Sequence, residues 1–338
     1  MPLHALARTV GSSSCDAIAM PGGASTRRYF RVGLDDGRSA VAMFVPDGPK
    51  PEEIDKIGAG ARWPFLEVRD LLEAHGIHVP RVLAEDTEQG WLLLEDLGDD
   101  TLANYLLAHP EQKDALYTQA VTDLARAQQQ LTALPASCVV QRRAFDEDLL
   151  RWEVEHFREW AVDARGFAFS AEHAEQFTQI AGRLAKRVAA MPRGFVHRDY
   201  QSRNIMVRNG ARELVWIDFQ DALLGPRTYD LVALLGDSYQ EFDAAFVTAR
   251  QREFAAAHGY DEAETQALQR EFDWVTLQRK LKDAGRFVFI DRVKGNPSFL
   301  QFVVPTLHKV MAALARLQDD EDARTLQYIL RTTLPEDT

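Results

Sequence analysis

The stretch that decides the fold is FVHRDYQSRNIMV at residues 195–207, and LVWIDFQD follows it at residues 214–221. Two apolar runs of strand length, 205–207 and 214–217, flank an Asn-Gly pair at 209–210. An Asn-Gly pair between two apolar runs is a strong signal for a β-hairpin. The sequence therefore predicts that these runs pair as antiparallel strands.

Polar side chains stand at both ends of this hairpin. Asn204 precedes the first strand and Asp218 follows the second, so the two are predicted to lie close together. Asp199 begins a polar loop five residues before Asn204, and His197 lies just ahead of it. Phosphoryl transfer from a magnesium nucleotide needs hard oxygen ligands for the metal and a carboxylate near the accepting hydroxyl. The pattern therefore predicts a phosphoryl-transfer site.

The same residues resemble a known family. His-Arg-Asp, an asparagine five residues later and then Ile-Asp-Phe resemble the catalytic and metal loops of kinase-like phosphotransferases. Protein kinases would show Asp-Phe-Gly and a later Ala-Pro-Glu, and this chain has neither. The run DALLGPRTYDLV at 221–232 is similar to a signature of the aminoglycoside phosphotransferase family. Segments 27–31, 219–221 and 272–282 most resemble the bacterial amino-sugar 1-kinases, which phosphorylate the anomeric hydroxyl of N-acetylmuramate and N-acetylglucosamine.

The resemblance implies an α+β, two-lobed, protein-kinase-like fold. A small β-rich N-lobe with one main helix would bind nucleotide at residues 1–97, and a larger, mostly α-helical C-lobe at 98–338 would carry the catalytic loop, metal loop and acceptor site. ATP and Mg²⁺ are the implied cofactors. The implied roles are Asp199 as the catalytic residue that orients the hydroxyl or accepts its proton, Asn204 and Asp218 as metal ligands, and His197 and Asp230 as structural supports of the loop.

Three segments of the N-lobe are candidates for nucleotide contacts. The small-residue loop at 21–26 lets backbone N–H groups approach phosphates, through Gly22, Gly23 and Ser25, although an ordinary turn would have the same composition. The helical pattern at 63–75 resembles the helix that carries the family's phosphate-pairing glutamate, here Glu67. The strand that ends at 95 resembles the hinge whose backbone binds adenine, here Glu95 and Leu97, although this strand would also suit the core.

The lysine that kinase-like enzymes place on the third strand is missing. Met43 or a neighbour takes its place, and no lysine occurs before Lys50. Arginines at 27, 28 and 31 are nearby, and a guanidinium binds phosphate bidentately. We hypothesise that Arg28 reaches the triphosphate, with a solvated surface arginine as the alternative.

The acceptor is left open by the sequence. A cation within residues 278–282 would suit the lactyl carboxylate of N-acetylmuramate, although charges at helical spacing also occur on solvated faces. An aminoglycoside would want acidic side chains near Asp199, and Glu271, Asp273 and Asp283 keep that alternative open. A choline- or homoserine-type kinase and a non-catalytic nucleotide-binding scaffold are further alternatives.

Composition bounds the class of protein. A length of 338 residues favours about two domains, and a net charge of −12 argues against nucleic acid as a partner. We expect no apolar run near the roughly twenty residues of a membrane span and no signal peptide, and hence a cytoplasmic enzyme without a membrane partner. Cys15 and Cys138 are predicted to be reduced thiols. A small-molecule acceptor and a monomer or weak dimer complete these expectations.

Periodicity predicts the remaining elements. A hairpin is predicted from strands at 25–32 and 39–45. The aromatic stripe Leu149, Trp152, Phe157 and Trp160 is predicted to be core. The predicted helices of the second lobe are 146–162, 170–191, 241–257, 272–293 and 299–317, with a break at 294–297.

Overall fold

The computed structural model describes residues 2–13, 16–21, 27–46 and 62–335. The predicted phosphate-loop residues Gly22, Gly23 and Ser25 lie outside the described residues, as do Cys15 and Lys50. The chain divides into two compact units that are discontinuous in sequence. The β unit comprises Met1–Lys113, Ser137–Arg142 and Ser202–Asp221, and the helical unit comprises Asp114–Ala136, Arg143–Gln201 and Ala222–Thr338. The proposed division into lobes after residue 97 stays a prediction.

An antiparallel sheet with the strand order β1-β2-β3-β5-β4 forms the centre of the β unit. Its strands are β1 (Asp16–Ala19), β2 (Arg28–Gly33), β3 (Ser39–Phe44), β4 (Val82–Asp86) and β5 (Trp91–Glu95). β2 and β3 pair from Arg28 opposite Phe44 to Gly33 opposite Ser39, which confirms the predicted hairpin over its described residues. A separate hairpin joins β7 (Ile205–Arg208) and β8 (Glu213–Trp216).

Within the described residues of the β unit, the helices are α1 (Pro2–Thr9), α2 (Pro64–Ala74), α3 (Leu102–Ala108) and the short α5 (Val139–Arg142). Leu3 and Leu6 of α1 pack on Val32, Ala40 and Leu93 of the sheet. These apolar residues share one face of the sheet because side chains alternate along a strand. The sequence analysis had not predicted α1.

α2 has the predicted bounds to within a residue at each end. Pro64 stands at its first turn, where its missing N–H costs nothing, and the chain turns at Gly76 with φ of +71°. Phe65, Leu66 and Leu72 are buried. This helix was predicted from the same apolar spacing.

The helices of the helical unit are α4 (Lys113–Gln130), α6 (Glu147–Phe157), α7 (Ala171–Ala189), α8 (Tyr229–Leu235), α9 (Ala244–His258), α10 (Glu262–Lys294), α11 (Val303–Arg316) and α12 (Glu321–Thr333). A π-helical turn at Arg158–Val162 extends α6, and β6 (Arg193–Val196) pairs antiparallel with β9 (Leu223–Pro226). Asp146 and Ser170 cap α6 and α7 through their side chains, as their sequence positions predict.

α10 is the longest helix and begins ten residues before its predicted start. A capping box of Asp261 and Glu264 sets this beginning, and Gly295 ends the helix in a left-handed conformation. Midway, a Cβ on Gly285 would lie 2.7 Å from the His156 carbonyl oxygen. Glycine therefore lets α10 and α6 approach backbone to backbone.

The prediction that the aromatic stripe of α6 is core is right for Phe157, which is fully buried, and wrong for Trp152, whose exposed fraction is 58%. Trp152 lies at the outer edge and stacks on His156 with ring centroids 5.2 Å apart. Aromatic spacing alone does not distinguish the centre of an apolar face from its border.

One segment, Pro297–Arg316, is long and apolar enough by length and composition to cross a membrane. The expectation that no segment approaches this length is therefore corrected. The finding is weak evidence for a span, because core helices pass the same test. In this structure α11 packs on α10 and buries Val303, Val310 and Leu314.

Candidate active site

The hairpin of β7 and β8 brings its two ends together, as predicted. Ile205 pairs with Trp216, and the Ile217 amide donates to the Asn204 carbonyl oxygen at 3.0 Å. Asn209 and Gly210 both have positive φ, at +53° and +64°, which is the turn conformation that an Asn-Gly pair favours. The backbone of Asn204 is thereby hydrogen-bonded to the residue next to Asp218.

Asp218 is held in an uncommon conformation. Its φ of +62° is left-handed, and a non-glycine residue in this region costs free energy that is found mostly at functional sites. Gln220 is buried and donates from Nε2 to Asp218 Oδ1 at 2.9 Å, while Phe219 stacks on Phe65 of α2 at 5.0 Å. Gln220, which replaces the glycine of protein kinases, therefore orients the carboxylate, a role that the sequence analysis missed.

Arg27, rather than Arg28, lies beside this carboxylate. Arg27 Nη1 is 3.9 Å from Asp218 Oδ1, and the two side chains are 14% and 44% exposed. Arg28 is exposed, and the alternation of β2 puts it on the same face as Phe30, which packs on the apolar core. Arg31 is engaged elsewhere, because it binds two carboxylates of the β5–α3 connection, Asp96 and Asp99, at 2.8 Å each.

The surroundings of Arg27 are partly buried. Tyr29, two residues further along the chain on β2, pairs in register with Met43, which is fully buried where the family's lysine would stand. Burial raises the pKa of Tyr29 to about 12, against an opposing influence of Arg27. Among the described residues, the positive charge at this position therefore comes from Arg27, immediately before β2, and not from β3.

Glu67 makes a different contact from the predicted one. Its Oε1 accepts a hydrogen bond of 2.6 Å from the Val139 amide at the start of α5. No lysine or arginine among residues 27–46 and 62–335 forms an ion pair with it. With the strand lysine missing, the geometry favours a helix-capping role, and phosphate pairing by Glu67 stays a prediction.

The predicted hinge is anchored by side chains. Asp96 binds Arg31, accepts a hydrogen bond of 2.6 Å from the Ser39 hydroxyl and another from the Gly98 amide at 2.9 Å. The Glu95 amide donates to the Arg81 carbonyl oxygen at 2.9 Å. The Leu97 amide donates to no residue in the described ranges, so it suits adenine recognition better than the Glu95 amide does.

In the helical unit, the loop that carries Asp199 is fixed by Asp230. The Asp230 carboxylate accepts hydrogen bonds from the His197 amide at 2.6 Å and the Arg198 amide at 2.9 Å. Arg198 has a φ of +81°, and the His197 ring is fully buried against Tyr200, with ring centroids 5.7 Å apart. Complete burial raises the pKa of Asp230 to about 7, although both backbone donors oppose this shift.

Asp199 lies next to cations. Arg279 of α10 is completely buried, donates to the Arg198 carbonyl oxygen at 2.8 Å and reaches Asp199 Oδ1 at 3.4 Å. Burial alone would raise the pKa of Asp199, but Arg279, Lys282 and Arg198 outweigh it and lower the pKa. Asp199 is therefore ionised at neutral pH. Arg279 belongs to the 278–282 segment that was considered for the acceptor, but its contact with Asp199 was not predicted because it depends on how α10 packs.

The acidic residues of α10 are neutralised in pairs. Asp283 binds Lys280 at 2.8 Å and Lys282 at 3.3 Å. Glu271 pairs with Arg227 at 2.9 Å, and Asp273 pairs with Arg316 at 2.7 Å. None of these three carboxylates therefore adds unpaired negative charge for a polycationic acceptor.

Only two side chains, Asn204 and Asp218, are predicted to bind the metal ion. Among the described residues, no group of three or more His, Cys, Asp or Glu side chains converges to hold a metal ion. Asn204 and Asp218 suit Mg²⁺ instead as two oxygen donors that leave other coordination positions to water and phosphate, which is how Mg²⁺ is commonly bound in kinases. The donor chemistry fits the ion.

The fold and these loops define a kinase-like small-molecule phosphotransferase. Residues 16–268 match the phosphotransferase enzyme family, and the chain belongs to this family. The predicted family and the α+β, kinase-like fold class are thereby confirmed.

Curated relatives and solved structures agree with this assignment. The chain is 35% identical to an N-acetylmuramate/N-acetylglucosamine kinase of Pseudomonas aeruginosa over 87% of this chain and 82% of the relative. It is 32% identical to a protein of the same name from Neisseria meningitidis, over 89% and 90%. A choline/ethanolamine kinase family protein from Mesorhizobium loti matches with a TM-score of 0.62 at 13% identity, covering 96% and 97%. The GDP complex of aminoglycoside 2'-phosphotransferase-IIIa matches with a TM-score of 0.58 at 14% identity, covering 89% and 93%. These two structures share the fold.

Proposed function

We propose that this enzyme transfers the γ-phosphoryl group of ATP to the anomeric hydroxyl of N-acetylmuramate or N-acetylglucosamine. The observation that carries the choice of acceptor is the positive charge around Asp199. The names of the curated relatives support the same acceptors. An anomeric hydroxyl is more acidic than an ordinary alcohol, so an ionised Asp199 of low basicity is sufficient to accept its proton.

Electrostatics argue against aminoglycosides and choline as acceptors. Arg279, Lys282 and Arg198 all lower the pKa of Asp199, so the charge near this carboxylate is positive. An acceptor with one or several ammonium groups would be repelled there, whereas a neutral or anionic sugar would not. The ion pairs of Glu271, Asp273 and Asp283 remove the acidic patch that the aminoglycoside alternative needed.

Each predicted residue has a proposed task. Asp199 orients the acceptor hydroxyl and takes its proton, a contribution typically worth about 10²–10⁴-fold. Asn204 and Asp218 hold Mg²⁺, which neutralises charge on the phosphates. The backbone at Glu95 and Leu97 binds adenine, with the Leu97 amide as the donor because the Glu95 amide donates to Arg81. The predicted loop at Gly22, Gly23 and Ser25 contributes backbone N–H groups to the phosphates.

Backbone strain at the site argues against a non-catalytic nucleotide-binding scaffold. Arg198 and Asp218 both have left-handed backbones although neither is glycine. Such conformations cost on the order of 1–3 kcal/mol each and persist mainly where function requires them. A protein that only bound nucleotide would have no use for a strained loop beside Asp199. Cytoplasmic location and a monomeric or weakly dimeric state remain predictions.

A direct assay tests the proposal. Purified protein is incubated with Mg-ATP and, separately, N-acetylmuramate, N-acetylglucosamine, kanamycin and choline, and sugar phosphate is identified by mass and by its acid lability. We expect product with one or both amino sugars and a loss of at least about 10²-fold in Asp199→Asn, which keeps the shape but removes the charge. Turnover of kanamycin or choline alone would refute the proposed acceptor.

A further inference from the structure

A row of cations leads along α10 away from Asp199. Arg279, Lys282 and Arg286 are spaced by three and four residues, so they lie on one face of the helix, and Phe289 continues this face. The Arg279 side chain is fully buried, that of Lys282 is 17% exposed, and Arg286 is exposed. The row therefore runs from the buried Arg279 beside Asp199 out to the surface.

The first two cations already have partners. Arg279 is bonded to the Arg198 carbonyl oxygen and to Asp199. Lys282 lies 3.3 Å from Asp283 Oδ1 and 3.5 Å from the Tyr229 hydroxyl. The side chains at both positions are thus held by groups of the protein itself.

Arg286 differs from them. Within residues 62–335 no carboxylate forms an ion pair with its guanidinium, which lies 4.8 Å from the centre of the Phe289 ring. A guanidinium that stacks on a ring and has no counter-ion is oriented to receive an anion.

A cluster of aromatic rings forms the apolar surroundings of Arg286. Phe289 packs edge-on against Trp160 at 5.1 Å and contacts His156 at 5.5 Å. The Phe289 ring therefore covers one side of the Arg286 guanidinium, and within residues 62–335 no residue accepts a hydrogen bond from its N–H groups. A planar guanidinium pairs with a carboxylate through two parallel hydrogen bonds.

We infer that Arg286 binds the carboxylate of an anionic sugar acceptor and so determines the preference for N-acetylmuramate over N-acetylglucosamine. This inference rests on the proposed function. The two sugars differ only in the lactyl ether on C3, which is two ring carbons away from the C1 that carries the reacting hydroxyl. Arg286 follows Lys282 by one helical turn, about 6 Å along the axis, so it lies farther along α10 from Asp199 than Arg279 and Lys282 do.

The test is a comparison of both sugars in one variant. In Arg286→Gln the ratio of kcat/KM for N-acetylmuramate to that for N-acetylglucosamine should fall about 10- to 100-fold, since a hydrogen-bonded charge is lost. Most of the change should lie in KM for N-acetylmuramate. Arg286→Lys should recover part of the ratio. The matched control is Arg292→Gln, an exposed position on the same helix whose arginine pairs with Asp291 at 3.6 Å.

The outcomes separate the inference from the function. If the wild-type enzyme phosphorylates both sugars but the ratio in Arg286→Gln stays within twofold, Arg286 is not the carboxylate receptor and the proposed function stands. Equal losses for both sugars would also overturn the inference. If the wild-type enzyme phosphorylates neither sugar, the proposed function itself fails.

Discussion

Replacing Arg27 with alanine should weaken nucleotide binding more than replacing Arg28. Arg27 is the cation that lies 3.9 Å from Asp218, the proposed metal ligand, whereas Arg28 is exposed on the face of β2 that carries Phe30. A cation this close to a metal ligand is within reach of the phosphates that the metal binds. We therefore expect Arg27 to carry the charge that the third-strand lysine supplies in related enzymes.

The magnitude follows from charge, distance and exposure. At 3.9 Å two unit charges interact by about 4 kcal/mol at an effective dielectric constant near 20. Because Asp218 is 44% exposed, solvent screening reduces this interaction to roughly 1 kcal/mol. A hydrogen bond from a charged donor to a phosphate contributes about 1.5–3 kcal/mol. The KM for ATP should therefore rise about 10- to 100-fold in Arg27→Ala.

The assay is steady-state ADP release at saturating amino sugar, with direct titration of a non-hydrolysable ATP analogue as a second readout. Arg27→Lys restores the charge and should recover most of the affinity. Arg38→Ala serves as the control, since Arg38 is an exposed arginine of the same unit that pairs with Asp36 at 2.7 Å. A larger loss in Arg28→Ala than in Arg27→Ala would refute this reasoning and return the role to Arg28.

Three further predictions concern orientation, packing and pH. Gln220→Ala removes the 2.9 Å hydrogen bond to Asp218 and should lower kcat about tenfold while raising the Mg²⁺ concentration needed for half-maximal rate; an unchanged Mg²⁺ dependence would contradict the role. Gly285→Ala places a Cβ 2.7 Å from a backbone oxygen and should lower the free energy of unfolding in urea by about 1–3 kcal/mol. In the control Gly182→Ala a Cβ meets nothing within 4 Å, so the free energy of unfolding should rise by up to about 1 kcal/mol. Equal effects of the two substitutions would contradict close packing of α10 against α6. Burial, aided by Arg227, lowers the pKa of His258 to about 4, so the folded state binds fewer protons than the unfolded state between about pH 6.5 and 4. The free energy of unfolding should therefore fall by about 1–3 kcal/mol as pH falls through this window, and His258→Gln should flatten the profile; a profile of the same slope would contradict it.

Local signals predicted many of the elements. The Asn-Gly turn, the caps Asp146 and Ser170 and the glycine stop at Gly76 act within a few residues, so the sequence alone is sufficient to locate them. α1 was not predicted, and the predicted start of α10 lay ten residues too late in the chain. In both cases the evidence was weak on its own: a short helix with apolar residues at two or three positions, and a polar first turn whose Asp261 capping box had not been recognised.

The candidate site likewise has features that the sequence predicted and features that depend on the fold. The spacing of Asp199, Asn204 and Asp218 is a property of the chain, and it was sufficient to predict phosphoryl transfer. The choice between Arg27 and Arg28 depends on how the chain enters β2 beside the metal loop, because neighbouring residues of an extended backbone face opposite ways. A shift of the strand by one residue would exchange the positions of Arg27 and Arg28. The composition of the segment contains no information about such a shift.

By itself the sequence determined the chemistry of this protein, because the catalytic loop and the metal loop are short segments whose residues act close to where they stand in the chain. Only the tertiary structure decided the electrostatics. Arg279 reaches Asp199, Asp283 is neutralised by two lysines and Arg286 is left without a carboxylate partner in the described helices. These relations join residues up to eighty positions apart, and they arise only when α10 packs beside the catalytic loop.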